Sequence, residues 1–334
     1  MFASSNDNFQ QTTCPPISVV VCSKNRPAEL VESCISHIQR STSRTAIEII
    51  VVDGNQAPAL QQVAYESGAG YVHETRSGMG IARNAGIRAA TARIVAFTDD
   101  DCEPSCSWAR QIIEKFRENQ ELTFIGGIDL TPKDSSFFQK GIGLLDDLRG
   151  APGGGPGLAR RITNCNVAYV KKALVDCGGY DETFEICEDQ ELHLRLFKMG
   201  HRFFFNRDLV VYHKRRNSIG EFWRQFFRYG YWSSKVFRKH PELFARTAGI
   251  LPSVGIVVFL LSLALALSAK LYAPFALTIL AVLAYEVIWC LKISFMRPDA
   301  WRSLPLAVLA LLIRNIAMGL GFLTGMICYF LKLS

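Results

Sequence analysis

Three adjacent carboxylates, Asp99, Asp100 and Asp101, follow the apolar residues 94–98 directly. That run has the length and β-branched character of a buried strand, so the acids stand at a strand tip. Neighbouring carboxylates repel one another and lose hydration when buried. A solvated turn is one interpretation, whereas a calcium loop would need an EF-hand spacing that is absent. A site for Mg²⁺ or Mn²⁺ shared with phosphate oxygens also fits these acids.

The elements before these acids predict a doubly wound α/β sheet. Residues 17–23 and 47–55 read as further strands, "AGYVHE" as a brief one, and helices begin at Pro27 and in the glycine-rich "GMGIARNAG". Alternating strands and helices are typical of a parallel sheet with ligands at the carboxyl ends of its strands. Three polar clusters would therefore meet at one edge: residues 23–26, 53–55 and 99–101.

The following segment predicts a mixed continuation of the sheet. Residues 162–182 read as a strand, a short helix and a turn, and residues 188–200 as an amphipathic helix. The segments "HRFFFN" and "DLVVYHK" then predict two more strands. Residues 146–161 are too rich in glycine and proline for regular structure, and form either a linker or a mobile loop near the site.

Three apolar stretches predict a C-terminal membrane domain. Residues 248–269 contain no charge and would span about 33 Å as a helix, enough to cross a bilayer. Residues 271–291 contain Glu286, and residues 304–331 contain Arg314. Because arginine is costly at mid-bilayer depth, residues 304–313 are expected along the interface and 316–331 within the membrane. Two or three spans are predicted; buried helices of a soluble core are the alternative.

The net charge of +7 is concentrated before the first apolar stretch. Residues 207–246 contain ten Lys or Arg against three acids. By the positive-inside rule the large N-terminal domain is expected in the cytoplasm and the protein in the inner membrane, multi-pass. This basic region would attract anionic headgroups, and no nucleic-acid partner is expected because its aromatic residues lie next to a membrane anchor.

These patterns divide the chain into four segments. Residues 1–15 lack an apolar run and are expected to form a disordered leader, not a signal peptide. Residues 16–217 form the α/β domain, 218–246 a basic amphipathic juxtamembrane helix, and 247–334 the membrane domain. The ten cysteines are scattered without CxxC pairs, which predicts reduced cytosolic thiols that mostly pack in the core.

Several motifs in order resemble the family 2 glycosyltransferases, which have the GT-A fold. They are "VVVCSKNRP", "IIVVDGN", "GMGIARNAG", "FTDDD", "TNCNVAYVKK…GGYDE" and "EDQELHLR", and they cover approximately residues 16–240. Each motif is short, but the ordered set is specific. The resemblance implies an inverting transferase that uses a nucleotide-sugar donor and a Mg²⁺ or Mn²⁺ ion.

The resemblance also implies a donor site at the sheet edge. Asp99 and Asp101 match the acids of the D-x-D motif, with Asp101 on the metal and Asp99 on ribose or metal. His213 would complete the metal shell. The remaining donor-site matches are Asp53 for the base, Ser23, Asn25 and Arg26 for the pocket loop, and Arg83 near the nucleotide. The first loop has Cys22-Ser23 where many members have Pro-Thr, which weakens any inference about the base.

Two further motifs are expected on the acceptor side. "EDQELHLR" matches the E-D motif, so Asp189 would be the catalytic base and Glu188 would contact the acceptor or cap the helix; two ordinary first-turn acids are the alternative. Gln225, Arg228 and Tyr229 form a variant of the Q-x-x-R-W motif. They either contact the acceptor sugar or belong to a helix lying on the membrane surface.

Taken together, these matches imply a membrane-anchored glycosyltransferase. The acceptor would be a lipid-linked sugar, a glycolipid or a surface glycan. A non-catalytic nucleotide-binding protein would need no base, so Asp189 distinguishes it. Tyrosine in place of tryptophan and the few spans disfavour a processive polysaccharide synthase. A nucleotidyltransferase should show a glycine-rich, lysine-bearing phosphate loop, which the sequence lacks near its start.

Overall fold

The computed structural model describes residues 16–42, 47–147, 162–242, 249–296 and 298–332. The expected leader, 1–15, and nearly all of the glycine- and proline-rich segment 146–161 therefore lie outside the described residues. The α/β part, a long amphipathic helix and three apolar helices follow one another along the chain.

Strands and helices alternate from the first described residues onward. Their order is β1 (Ile17–Ser23), α1 (Ala28–Arg40), β2 (Glu48–Asp53), α2 (Pro58–Glu66), β3 (Gly70–His73), α3 (Met79–Ala89), β4 (Ile94–Asp99), β5 (Cys102–Pro104), α4 (Trp108–Glu118), β6 (Phe124–Leu130) and α5 (Phe137–Asp147). After a 3₁₀ turn at Asn164–Asn166 come β7 (Val167–Val170), α6 (Lys171–Asp176), α7 (Glu188–Lys198), β8 (Phe203–His213) and α8 (Ile219–Lys239). The apolar helices are α9 (Ile250–Ser268), α10 (Tyr272–Met296) and α11 (Leu304–Phe330), with a 3₁₀ turn at Pro298–Ser303 before α11.

The described strands form one mixed sheet in the order β3-β2-β1-β4-β7-β6-β8-β5. The four strands at one side, β3 to β4, are parallel, and β7 runs antiparallel between β4 and β6. This confirms the predicted doubly wound α/β sheet. It also explains why residues 17–23 and 94–98 are mostly apolar, since both faces of the sheet are covered.

Alternate residues of β1 enter two separate cores. Val19 and Val21 pack with α1, α2 and α4 on one face, whereas Val20 and Cys22 pack with α3, α6 and α7 on the other. The contact between α3 and β1 is close, because a Cβ at Gly86 would lie 2.3 Å from a methyl of Val20. Close packing here brings the side chains of α3 to the sheet edge.

The prediction of two strands in 201–214 was wrong, because β8 is one continuous strand. It pairs with β6 through residues 203–205 and again through 210–212, with an irregularity opposite Gly126 and Ile128. Between these two paired stretches, Arg207 and Asp208 are exposed. These polar residues belong to a β-bulge within the strand, and in the sequence they resemble a turn between two strands.

The three apolar helices are long and apolar enough to cross a membrane. Helix α11 is continuous through Arg314, with no break between the stretch expected along the interface and the stretch expected to insert. Its second half runs parallel to α8 at very short range. A Cβ at Gly230 would lie 2.0 Å from the Met318 carbonyl oxygen, and one at Gly321 would lie 2.0 Å from that of Phe227.

Candidate functional site

The carboxyl ends of β1, β2 and β4 meet at one edge of the sheet. In the parallel register Cys22 lies beside Asp99, and Ser23 beside Asp53. The first loop, the second turn and the acid cluster are therefore neighbours in space. This is the arrangement expected from the strand order alone.

The three aspartates at this edge have different partners. Asp99 is partly exposed and its Oδ1 lies 3.2 Å from a guanidinium nitrogen of Arg83. Asp100 is buried and accepts a 2.7 Å hydrogen bond from the Ser23 hydroxyl. Asp101 contacts the Arg26 guanidinium, and its Oδ1 lies 3.3 Å from His213 Nε2.

These surroundings separate the pKa values of two adjacent carboxyls. Burial raises the pKa of Asp100 to about 6, against the lowering effect of the Ser23 hydrogen bond. Burial also acts to raise the pKa of Asp101, but the hydrogen bond from His213 and the nearby positive charges lower it to about 2. Asp101 is thus held as an anion, as a metal ligand must be.

His213 lies at the end of β8, between two carboxylates. Its Nδ1 lies 3.9 Å from Asp129 Oδ2 and its Nε2 faces Asp101. Burial opposes protonation, but the hydrogen bonds to both acids outweigh it and raise the pKa of His213 well above its usual value. The structure brings His213 to Asp101; its role as a metal ligand stays a prediction.

A divalent cation fits the donor atoms found here. One ligand atom each from Asp99, Asp101 and Cys102 lie within 4.8 Å of one another. The two carboxylates and the adjacent His213 are donors that Mn²⁺ accepts, and two carboxylates also suit Mg²⁺. Arg26 reaches the same Asp101 carboxylate.

Arg83 connects the acid cluster to the helix that carries the E-D motif. It is 4% exposed, and its guanidinium bonds Asp99 with one nitrogen and Glu188 with the other. The Tyr180 ring lies 5.8 Å from the guanidinium carbon. A planar fork of donors suits this double contact, and it fixes the start of α7 relative to the end of β4.

The two acids of the E-D motif point to different environments. Glu188 is buried against Arg83 and Asn164, and burial raises its pKa. This inward position differs from the acceptor-side position expected for Glu188. Asp189 is partly exposed, and its Oδ1 accepts a 2.7 Å hydrogen bond from the Gln190 N–H.

Asp53 and Asn25 organise the two loops at the edge. Asp53 is buried, and its oxygens accept bonds from the N–H groups of Asn55 and Ala57 and from the Tyr71 hydroxyl. Its carboxylate therefore holds the turn after β2. Asn25 has a left-handed φ of 57° and its amide contacts that of Asn55, which joins the first loop to this turn.

Helix α8 places the variant Q-x-x-R-W residues beside the start of α7. Cys187 precedes Asp189 by two residues, and its thiol lies 3.7 Å from the Tyr229 carbonyl oxygen. The amide of Gln225 donates to the Tyr229 hydroxyl at 3.3 Å. Arg228 is exposed and lies 3.4 Å from Glu185.

Two contributors to this arrangement were missed from the sequence. Glu191 is fully buried on α7 and pairs with Arg195, Lys239 and His240, which fastens α7 to the end of α8. Asn84, next to Arg83, bonds the backbone N–H and carbonyl of Tyr180. In both cases the sequence offered one signal, a polar residue next to buried positions of a helix.

The profile of Glycosyl transferase family 2 matches residues 18–208, more than half of the chain. The chain belongs to this family. It is 25% identical over 228 residues to the pre-mycofactocin glycosyltransferase of Mycobacterium tuberculosis, which covers 64% of this chain and 47% of that protein. The family 2 chain described here thus spans about half the length of that relative.

Other relatives extend the likeness. Glycosyltransferase AglE of Haloferax volcanii is 24% identical over 232 residues, 66% of this chain and 73% of that one. Succinoglycan biosynthesis protein ExoA of Rhizobium meliloti is 32% identical over 146 residues, 43% of this chain and 42% of that one. The mannosyltransferase PcManGT of Pyrobaculum calidifontis, solved with GDP-Man and Mn²⁺, is 16% identical with a TM-score of 0.57, covering 97% of this chain and 89% of that one. This last likeness concerns the fold, and it confirms the GT-A architecture.

Proposed function

We propose that this family 2 protein is a membrane-associated, inverting glycosyltransferase that moves a sugar from a nucleotide-sugar to an acceptor at the membrane surface. The observation that carries the proposal is the Arg83 bridge. It joins Asp99 of the D-x-D motif to Glu188, the neighbour of Asp189. A metal-binding acid and a candidate base are thereby held at one edge of the sheet.

The donor side is assigned to Asp99, Asp101 and His213, which would hold the cation. When bound, Mg²⁺ or Mn²⁺ stabilises the negative charge that develops on the departing nucleotide. Arg26 contacts Asp101 and can turn toward the diphosphate, because its side chain is one-third exposed. Ser23 fixes Asp100, so that only the outer two of the three acids face the cation.

The acceptor side is assigned to Asp189. A hydroxyl that attacks the anomeric carbon must lose its proton, and a partly exposed carboxylate at a helix start can accept it. Glu188 is a positioning residue in this proposal, because it is buried against Arg83. A single displacement with metal and base on opposite sides inverts the anomeric configuration.

We further infer that α9 and α10 insert into the bilayer as a hairpin while α11 lies at its surface. In the most apolar stretch of each helix, 22% of the residues of α9 and none of those of α10 are buried inside the protein. The corresponding share for α11 is 44%. The partner of α11 is α8, whose Lys235 and Lys239 bond residues of the α/β domain. A helix fastened along α8 lies at the depth of α8, which supports a two-span arrangement with the α/β domain in the cytoplasm.

The acceptor is proposed to be a lipid-linked sugar or a growing surface glycan. The place of α8 between the base helix α7 and the apolar helices supports this class, since an acceptor held at the bilayer reaches Asp189 without leaving the surface. ExoA, named for succinoglycan biosynthesis, belongs to the same set of relatives.

The test is transfer by the full chain in membranes, with a panel of radiolabelled nucleotide-sugars, a lipid extract and Mn²⁺. Asp189→Asn is expected to lower transfer by about 10²- to 10⁴-fold, the usual contribution of a general base. Donor-induced thermal stabilisation should persist in that variant. The matched control is Asp176→Asn, an exposed aspartate paired with Lys172 on α6. Full transfer by Asp189→Asn would refute the base assignment, and donor binding without transfer by the wild type would favour a non-catalytic nucleotide-binding protein.

A further inference from the structure

A second group of metal-ligating side chains lies directly behind Asp101. Cys102 opens β5, Cys165 is the middle residue of the 3₁₀ turn Asn164–Asn166, and His213 ends β8. Cys102 and His213 are paired in the sheet. Three separate elements therefore bring two thiols and an imidazole to one point.

The spacing of these groups suits a small tetrahedral cation. The two sulfur atoms and a ring nitrogen of His213 all lie within 4.8 Å of one another. Asp101 Oδ1 lies 3.3 Å from His213 Nε2 and 3.9 Å from Cys102 Sγ. With bonds of about 2.0–2.3 Å, the ligand atoms of a tetrahedral zinc site are roughly 3.3–3.8 Å apart. Small side-chain shifts therefore complete the site, with Asp101 as the fourth ligand.

The donor set selects a different metal from the one expected at the D-x-D acids. Thiolates and imidazole favour Zn²⁺, whereas Mg²⁺ and Mn²⁺ prefer oxygen. Both cysteines are nearly fully buried, at 1% and 2% exposure, and the His213 side chain is 22% exposed. The histidine side is therefore the route by which a cation enters.

We propose that Cys102, Cys165, His213 and Asp101 form a binding site for a thiophilic divalent cation of the Zn²⁺ class. Binding releases the two thiol protons and the ligating-nitrogen proton of the His213 imidazolium to solvent as the Zn–S and Zn–N bonds form. Asp101 and His213 belong both to this site and to the donor-metal site with Asp99. Occupancy by Zn²⁺ consequently withdraws both residues from the donor metal, a consequence that rests on the proposed transferase function.

The direct test uses Co²⁺ as a spectroscopic substitute for Zn²⁺ on the full chain in detergent, kept reduced and freed of metal by a chelator. The wild type should show thiolate-to-cobalt charge-transfer absorption and tetrahedral d–d bands at one equivalent, both removed by Zn²⁺. Cys165→Ser and Cys102→Ser should each weaken Co²⁺ binding by more than about 10-fold, a loss that even outer-shell contacts can produce. Cys106→Ser is the matched control, because Cys106 is exposed and only four residues from Cys102.

Several results would overturn the site. A cobalt spectrum without a thiolate band, a band that persists in Cys165→Ser, or a band lost in Cys106→Ser would each do so. Far-ultraviolet circular dichroism with Cys165→Ala as a second variant separates loss of the site from loss of the fold. None of these measurements requires transfer activity, so they stand apart from the proposed function. In the transfer assay, Zn²⁺ should inhibit the wild type in competition with Mn²⁺ and should inhibit Cys165→Ser less; equal inhibition of both would refute the shared role of Asp101.

Discussion

Replacing Asp100 by Asn tests whether the middle acid of the cluster is structural. Asp100 is 7% exposed, and its carboxylate accepts from Ser23 and lies 3.5 Å from Arg26. Its pKa is about 6 in the folded chain against an ordinary value of 3.8. The folded state therefore disfavours the ionised form, because burial outweighs the two favourable contacts.

The sign and size of the effect follow from this pKa difference. As pH rises from about 4 to about 6, the unfolded chain loses the Asp100 proton first, so the folded state loses stability. Above pH 6 the loss is complete. The difference between the pKa values of about 6 and 3.8 corresponds to at most about 3 kcal/mol in the free energy of unfolding. Asparagine stays neutral and still accepts from Ser23. Asp100→Asn should thus be more stable than the wild type at pH 7.5, by roughly 6–12 °C in unfolding temperature.

The assay is thermal unfolding of the full chain in detergent, followed by intrinsic fluorescence at pH 4.5 and pH 7.5. The gap between Asp100→Asn and the wild type should open as pH rises. Asp176→Asn, on the exposed face of α6, should stay within about 0.5 kcal/mol of the wild type at both values. An Asp100→Asn variant that is no more stable at pH 7.5, or a gap that is wider at pH 4.5, would refute this reasoning.

Further outcomes are expected from four variants. Asp101→Asn should change stability in the opposite sense, losing up to about 2.4 kcal/mol at pH 7.5, because its pKa falls from 3.8 to about 2; it should also abolish Mn²⁺-dependent transfer, whereas Asp100→Asn should retain it. Arg83→Lys should lower transfer about 10-fold or more, since one ammonium cannot hold two carboxylates in a fixed fork; wild-type transfer by this variant would contradict the bridge. Gly230→Leu should destabilise the chain by about 1–3 kcal/mol, because a Cβ there meets the Met318 carbonyl oxygen at 2.0 Å. Gly220→Leu, on the same helix with open space, is its control and should unfold as the wild type does.

The sheet edge could be predicted from the sequence because each part of it is specified by residues close together in the chain. Continuous apolar strands followed by polar residues place Ser23, Asp53 and Asp99 at neighbouring carboxyl ends, and the register agrees. The predicted start of the E-D helix at Glu188 also agrees with α7. In each case the decisive signal lies within about ten residues.

The pairings across the site could not be predicted in the same way. Arg83 and Glu188 are 105 residues apart, and only tertiary packing of α3 against β1 brings them together. The sequence offered Arg83 as a residue near the nucleotide and Glu188 as an acceptor contact or helix cap, and gave no signal that the two form a buried pair. Residues 105–145 drew no prediction, although Trp108, Ile112 and Phe116 recur at helical spacing and are buried in α4.

The prediction that residues 304–313 and 316–331 lie differently with respect to the membrane depended on a single charged residue. Arg314 suggested a break, because an isolated arginine is costly in a bilayer. In the proposed arrangement α11 lies at the membrane surface beside α8, where an arginine side chain can reach water, and α11 is continuous through Arg314. The helix can then continue without interruption and carry its glycines to α8.

Helix α8 connects the α/β domain to the apolar helices, because it contacts both α7 and α11. One side of this helix holds α7 through Lys239 and Glu191, next to the candidate base, and the other side holds α11 through Gly230. A displacement of α11 by the bilayer is therefore transmitted to α8 through close backbone contacts, and from α8 to α7 through the Lys239–Glu191 ion pair. We expect transfer to depend on a lipid surface for this reason, and not only because the acceptor dissolves in it. A water-soluble acceptor analogue should then be used faster when vesicles are present, and Gly230→Leu should reduce that stimulation while Gly220→Leu preserves it.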